Sequence, residues 1–188
     1  MGAEPAELKV RVLLERGRVL NSSGSPDAAR PAFEAAYSVA VEAGFEHLAV
    51  DALHMIAIVA PASEQEALNR LALALAAGAD DPRARDWRAS LLNNLGWTLF
   101  DRGDFVDALA LFEDALAARL EQGKVREIQI ARWCVGRTLR ALGRYEQARA
   151  IQESLAAEHA AAGTADPYVK EELTELESAL KAGSQPSP

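Results

Sequence analysis

Stacked helical hairpins, with one further helix at the C-terminal end, make up the all-α fold that the sequence predicts. Three observations carry this. Small residues recur at Gly17, Ala57, Gly96 and Gly136, separated by 40, 39 and 40 residues. A second set follows each of them: Ala29, Ala67, Ala108 and Ala148, then Phe33, Leu71, Phe112 and Gln152 four residues on, then Ala36, Ala74, Ala115 and Leu155 three further. Alanine and leucine dominate, and no alternating strand pattern persists, which favours helix. A fixed period of roughly 20 to 50 residues marks an array whose units bury their apolar faces on one another.

Turn and cap residues place each element. The first helix covers about 4–20 and is broken by Asn21-Ser22-Ser23-Gly24-Ser25. Ser25 is an N-cap candidate, with Pro26 at the first helical position. The second helix runs to about Ala43, with Pro31 in its first turns, where a missing N–H is best tolerated. Gly44 ends it. The third helix spans about 45–60 and stops at Pro61. Ser63 and Glu66 read as a capping box for the fourth. Gly78, Asp80, Asp81 and Pro82 form the next break, and a fifth helix runs to about Asp101 before Gly103. The sixth spans 104–122, the seventh 125–142 and the eighth 144–162, ended by Gly123, Gly143 and Gly163. Asp166-Pro167 opens a last helix with Val169, Leu173, Leu176 and Leu180 on one stripe. Its other face carries Lys170, Glu171, Glu172, Glu175, Glu177 and Lys181. The expected organisation is a single domain over 4–182, with repeats at about 8–43, 45–78, 83–122 and 125–162. A capping helix follows at 166–182, then a disordered tail at 183–188.

Composition bounds the function. The 188 residues include 28 acidic and 20 basic side chains, for a net charge of −8. That balance argues against a nucleic-acid partner, which demands a basic face, and against anionic membrane. No apolar run approaches the ~18 residues of a membrane span. The N-terminal MGAEPAELKV lacks the basic and apolar regions of a secretion signal, and Ala6 spoils a myristoylation signal. One cysteine, Cys134, allows no internal disulfide and reads as a small apolar filler. A cytoplasmic protein is expected.

The run Leu92, Leu95-Gly96, Leu99, Gly103, Phe105, Ala108, Phe112, Ala115 resembles a tetratricopeptide repeat, as do Val135-Gly136, Leu139, Gly143, Tyr145, Ala148 and Leu155. The common repeat is about 34 residues long. The longer period here, with Leu92-Asn93-Asn94-Leu95-Gly96, is similar to the repeats of kinesin light chains. Arg16 in the first unit and Leu120 in the third depart from the family pattern. The resemblance implies a right-handed α-solenoid of four such hairpins plus the capping helix. It also implies that the first helix of each pair lines a concave groove. One implied row is Leu14, His54, Asn93 and Trp133. The next is Arg18, Ile58, Trp97 and Arg137. The outer rows are Asn21, Pro61, Phe100 and Arg140, and Arg11, Asp51, Ser90 and Ile130. The carboxylate clamp of the family's chaperone-binding members would fall on Leu14, Arg18 and Met55, so chaperone binding is not expected.

Trp and Arg are the residues most enriched among binding hot spots, and Asn side chains can hold an extended backbone. The candidate ligand-binding residues are therefore His54, Asn93, Asn94, Trp97, Trp133, Arg137 and Arg140. They suit a protein or peptide partner with acidic or C-terminal carboxylate groups, since the Arg fork matches a carboxylate. Trp87, Trp97 and Trp133 also read as packing residues. Arg137 and Arg140 also read as paired to nearby acids such as Asp101. Val12, Leu13 and Val19 of the first helix offer a homodimer surface. Acid pairs such as Glu171-Glu172 and Asp80-Asp81 read as helix-end or solvated charges.

No catalytic motif is present: neither Gly-rich nucleotide loop, nor G-x-S-x-G elbow. His47, His54 and His159 carry no metal-site spacing. The expectation is a non-enzyme with no cofactor and no metal, a protein- or peptide-binding adaptor. The alternative is a regulatory sensor taking a short peptide or small ligand in the same groove.

Overall fold

The computed structural model describes residues 3–183. It is an all-α helical repeat fold, as expected. In order stand α1 (Ala3–Ser22), α2 (Pro26–Glu42), α3 (Glu46–Val59), α4 (Ala62–Gly78), α5 (Pro82–Arg85), α6 (Arg88–Arg102), α7 (Phe105–Gln122), α8 (Val125–Ala141), α9 (Tyr145–Ala161) and α10 (Pro167–Gly183). The chain falls into two compact units, Met1–Thr98 and Leu99–Pro188. Of the expected tail at 183–188, Gly183 closes α10 and residues 184–188 lie outside the described ones.

In the first unit each helix packs on the next in sequence, α1 on α2, α2 on α3 and α3 on α4. The core gathers Val10, Leu14, Phe33, Leu48, Leu53, Ile56 and Leu91 between small residues such as Ala29, Ala36, Ala72 and Ala76. Alanine at these positions lets helix axes approach, and the large residues fill what is left; each fully buried Leu, Ile or Phe is worth about 1.5–3 kcal/mol. Gly17 shows how close the approach is. A Cβ there would stand 2.3 Å from Cε1 of Phe33, a ring with no exposed surface. On α1, Leu13 packs on this core while Val12 and Val19 are exposed.

The second unit repeats the arrangement, with α7 on α8, α8 on α9 and α9 on α10. Ala108, Phe112, Ala115, Ala148, Gln152 and Leu155 are all buried, as the repeat pattern requires. Cys134 is buried as well. Gly123 ends α7 at φ 70°, a conformation that favours glycine, and its N–H closes on Arg119 and Leu120 carbonyls.

Three expectations are corrected. In α4 the residues Ala67, Leu71 and Ala74 are not the inward face: all three are exposed, and Asn69, Ala72 and Ala76 are buried. With Asn69 in the slot, the inward row becomes Ala29, Asn69, Ala108 and Ala148, spaced by 40, 39 and 40 residues like the glycine row. Alanine at 67 fits that row by residue type, whereas the true position holds a polar residue.

Ser63 does not cap α4. The helix begins at Ala62 with Pro61 at the N-cap, which leaves Ser63 inside the first turn. Gln65 instead donates to the Ala60 carbonyl at 3.0 Å, and Glu66 pairs with Arg70 at 2.9 Å.

The fifth expected helix is two. Asp81 caps α5 by accepting the Arg83 N–H at 2.9 Å, and Pro82 fixes its first position. The chain then turns at Asp86 and Trp87 before α6. That break sets both Ala84 and the Trp87 indole against the first unit's core.

Candidate functional site

The predicted binding residues divide between the units. His54, Asn93, Asn94 and Trp97 belong to the first; Trp133, Arg137 and Arg140 belong to the second. All seven are half-buried.

In the first unit, α3 presents His54 toward Trp87, with ring centroids 5.0 Å apart and tilted by 51°. The Asn94 amide on α6 donates to His54 Nδ1 at 3.2 Å, which leaves the ring proton on Nε2. Burial lowers the His54 pKa below its ordinary value; Asp51 partly opposes this and Arg18 adds to it. His54 is thus a neutral, packed imidazole. His47 goes elsewhere, with Nδ1 3.1 Å from Asp81 Oδ2. The Arg18 guanidinium reaches from α1 to α3 and gives both Asp51 carboxylate oxygens a hydrogen bond at 2.7 Å. Asn93 and Trp97 share α6 one turn apart.

In the second unit, Trp133, Arg137 and Arg140 stand on one face of α8, at spacings of four and three residues. The Arg137 guanidinium lies over two rings, 5.4 Å from the Trp133 centroid and 5.8 Å from that of Phe100. Cation–π contacts of this reach add roughly 0.5–1 kcal/mol each. The Trp133 ring also meets Tyr168 of α10 edge-on at 6.0 Å. Glu172 of α10 completes the cluster. Its carboxylate accepts from Arg137 Nη1 at 2.5 Å, and from Arg140 Nε at 2.7 Å and Nη2 at 3.0 Å.

Glu172 is only 1% exposed, against 31% and 25% for the two arginines. It is neither a helix-end nor a solvated charge, in contrast to what its place beside Glu171 suggests. The acid that meets the two arginines is Glu172 and not Asp101. Its position was legible: Glu172 stands three residues after Val169 and four before Leu176, both buried, and so shares their stripe. The arginines expected to read a partner's carboxylate already hold one of the protein's own.

Comparison with known proteins follows the same division of helices. Models of the tetratricopeptide repeat match residues 88–121, from α6 into α7, and residues 129–151, from α8 into α9. The chain thus contains two segments of tetratricopeptide-repeat sequence. These are the two repeats in which the motif was clearest in the sequence.

The fold of these repeats resembles that of a variant of the nearly identical TPR-like repeats from Podosopora anserina, ascribed to a kinesin light chain. The TM-score is 0.77 at 18% identity, over 97% of this chain and 90% of that one. BtubC (BKLC) from P. vanneervenii is similar at a TM-score of 0.68 and 19% identity, over 97% and 68% of the two chains. Aspartyl phosphate phosphatase F from Bacillus subtilis is similar at 0.75 and 16%, over 96% of this chain and 48% of that one. No curated protein matches. The repeat array is therefore of the kinesin light chain type in fold, and its repeats are those of a protein-interaction scaffold. Among the described residues no helix is long and apolar enough to cross a membrane.

Proposed function

We propose that this chain is a non-catalytic adaptor that binds a protein or peptide on the first-helix faces of its repeats. The carrying observation is the set of half-buried Asn, Trp and Arg side chains on α6 and α8, in a fold whose repeats serve protein interaction. Half-buried indole and guanidinium groups suit hot spots because they are held in place yet reachable. The Asn93–Trp97 face of the first unit and the Trp133–Arg137 face of the second act as two anchor regions. An acidic partner group reaches Arg137 and Arg140 only in competition with Glu172, so partner recognition in the second unit leans on the aromatic rings. The lone buried thiol suits a cytoplasmic setting. Self-association through the exposed Leu8, Val12 and Val19 of α1 is a second mode of the same scaffold.

Capture from native lysate with three baits tests this. One bait is the natural chain; the second carries Asn93→Ala and Trp97→Ala; the third carries Trp133→Ala. All are checked for equal helicity. A partner held by the natural chain and lost by either variant supports the reading, and equal capture by all three baits removes it. Sedimentation velocity of the natural chain against Val12→Glu reads the self-association mode.

A further inference from the structure

A pocket of about 700 Å³ opens in the second unit between the start of α8, the end of α9 and the loop that leads into α10. Small-molecule sites span roughly 300–1,000 Å³, so the volume suits a compact organic ligand. Its walls are mainly apolar, with Val125, Ile130 and Trp133 from α8, Leu155 from α9, and Tyr168 and Val169 from α10. Val125 and Tyr168 are 69% and 63% exposed, unusually open for such side chains lining one cavity.

The polar groups in the lining are not equivalent. The Asp166 carboxylate accepts from the Tyr168 and Val169 N–H groups at 2.8 and 3.2 Å, and lies 3.9 Å from His159 Nε2. Its charge is answered by the start of α10. The Gln129 amide donates to Glu158 at 3.2 Å. Arg126 differs: its guanidinium lines the pocket with no hydrogen bond or ion pair to any described residue. A cationic ligand is disfavoured, since the Trp133 ring already carries the Arg137 guanidinium at 5.4 Å and Arg126 adds a second positive charge.

We infer that this pocket binds a small monocarboxylate with an apolar, ring-bearing body. The body packs among Val125, Ile130 and Trp133, and the carboxylate pairs with the Arg126 fork. This site does not rest on the adaptor reading, and it stands whether or not a protein partner is found.

The test is calorimetry on the full chain with three probes of one shape: phenylbutyrate, phenylbutyramide and phenylbutylamine. The acid is expected to bind about tenfold tighter than the amide, the size of effect a charge-assisted pair gives. The amine is expected to bind weakest. Arg126→Ala, an exposed position, should bring the acid down to the affinity of the amide and leave the amide unchanged. Ala165→Trp, at the pocket's rim, should weaken both. Equal binding of the three probes, an acid preference that survives Arg126→Ala, or no binding of any probe at millimolar concentration each overturns the inference.

Discussion

Asn69 occupies a slot that holds Ala29, Ala108 and Ala148 in the other repeats, and its side-chain oxygen is buried with no hydrogen-bond partner. An unmade hydrogen bond of this kind costs about 1–3 kcal/mol. Alanine removes it and is also the better helix former. Asn69→Ala is therefore expected to stabilise the protein by about 1 kcal/mol, after allowing for the small void it leaves. Urea denaturation checks this: a midpoint that falls on substitution contradicts the account. His54 acts in the opposite direction. Its folded pKa lies below 6.5 because burial disfavours the charged ring. The native state thus binds fewer protons than the unfolded chain. The stability tied to neutral His54 is complete above pH 6.5 and is lost as pH falls through the lowered folded value. Stability of the natural chain should decline as pH falls below 6.5, and His54→Gln should flatten that limb. A limb of unchanged steepness in the variant would place its origin elsewhere.

At the scale of elements, α10 is held by a buried charge as well as an apolar stripe. Removing the Glu172 carboxylate leaves Arg137 and Arg140 facing each other without an anion. Loss of one partner from a buried ion pair costs about 3–5 kcal/mol. Both arginines retain solvent contact, so Glu172→Ala is expected to destabilise by about 2–3 kcal/mol, less than the fully buried case. Thermal unfolding followed by circular dichroism reads this, and a change under about 0.5 kcal/mol would mean that the cluster contributes no net stability. The same cluster shows what was legible in the sequence. Element order, most caps and the repeat period follow from glycine, proline and alanine positions, because those residues act locally. The register of α4 was missed, since an exposed alanine and a buried asparagine invert the usual signal. Glu172 was missed because a carboxylate reads as part of the polar face, although its spacing from Val169 and Leu176 puts it on the apolar stripe; the two arginines that answer it stand 35 and 32 residues away. The division of α5 from α6 depends on where Trp87 packs, which no local pattern announces. The candidate residues fall on α3, α6 and α8 wherever the helix boundaries are read from the sequence; the Glu172 pairing that occupies the two arginines lies outside what those boundaries specify.

For the whole molecule, stability is expected to be distributed along the chain. Helices pack chiefly on their sequence neighbours, and each of the two compact units has its own core, around Phe33 in one and around Phe112, Leu155 and Leu176 in the other. Arrays built this way behave as nearly one-dimensional systems in which a local fault stays local. Gly17→Ala supplies the fault. The added methyl falls 2.3 Å from a buried ring that cannot withdraw, and overpacking of this kind costs about 1–3 kcal/mol. The alanine regains up to about 1 kcal/mol of helix propensity, so a net loss of about 1–2 kcal/mol is expected. Amide hydrogen exchange then separates local from global effects. Protection should fall in α1 through α3 and hold in α8 and α9. A uniform fall across 3–183 would mean that the chain opens as one cooperative body, and that its repeats are coupled far more strongly than neighbour packing alone provides.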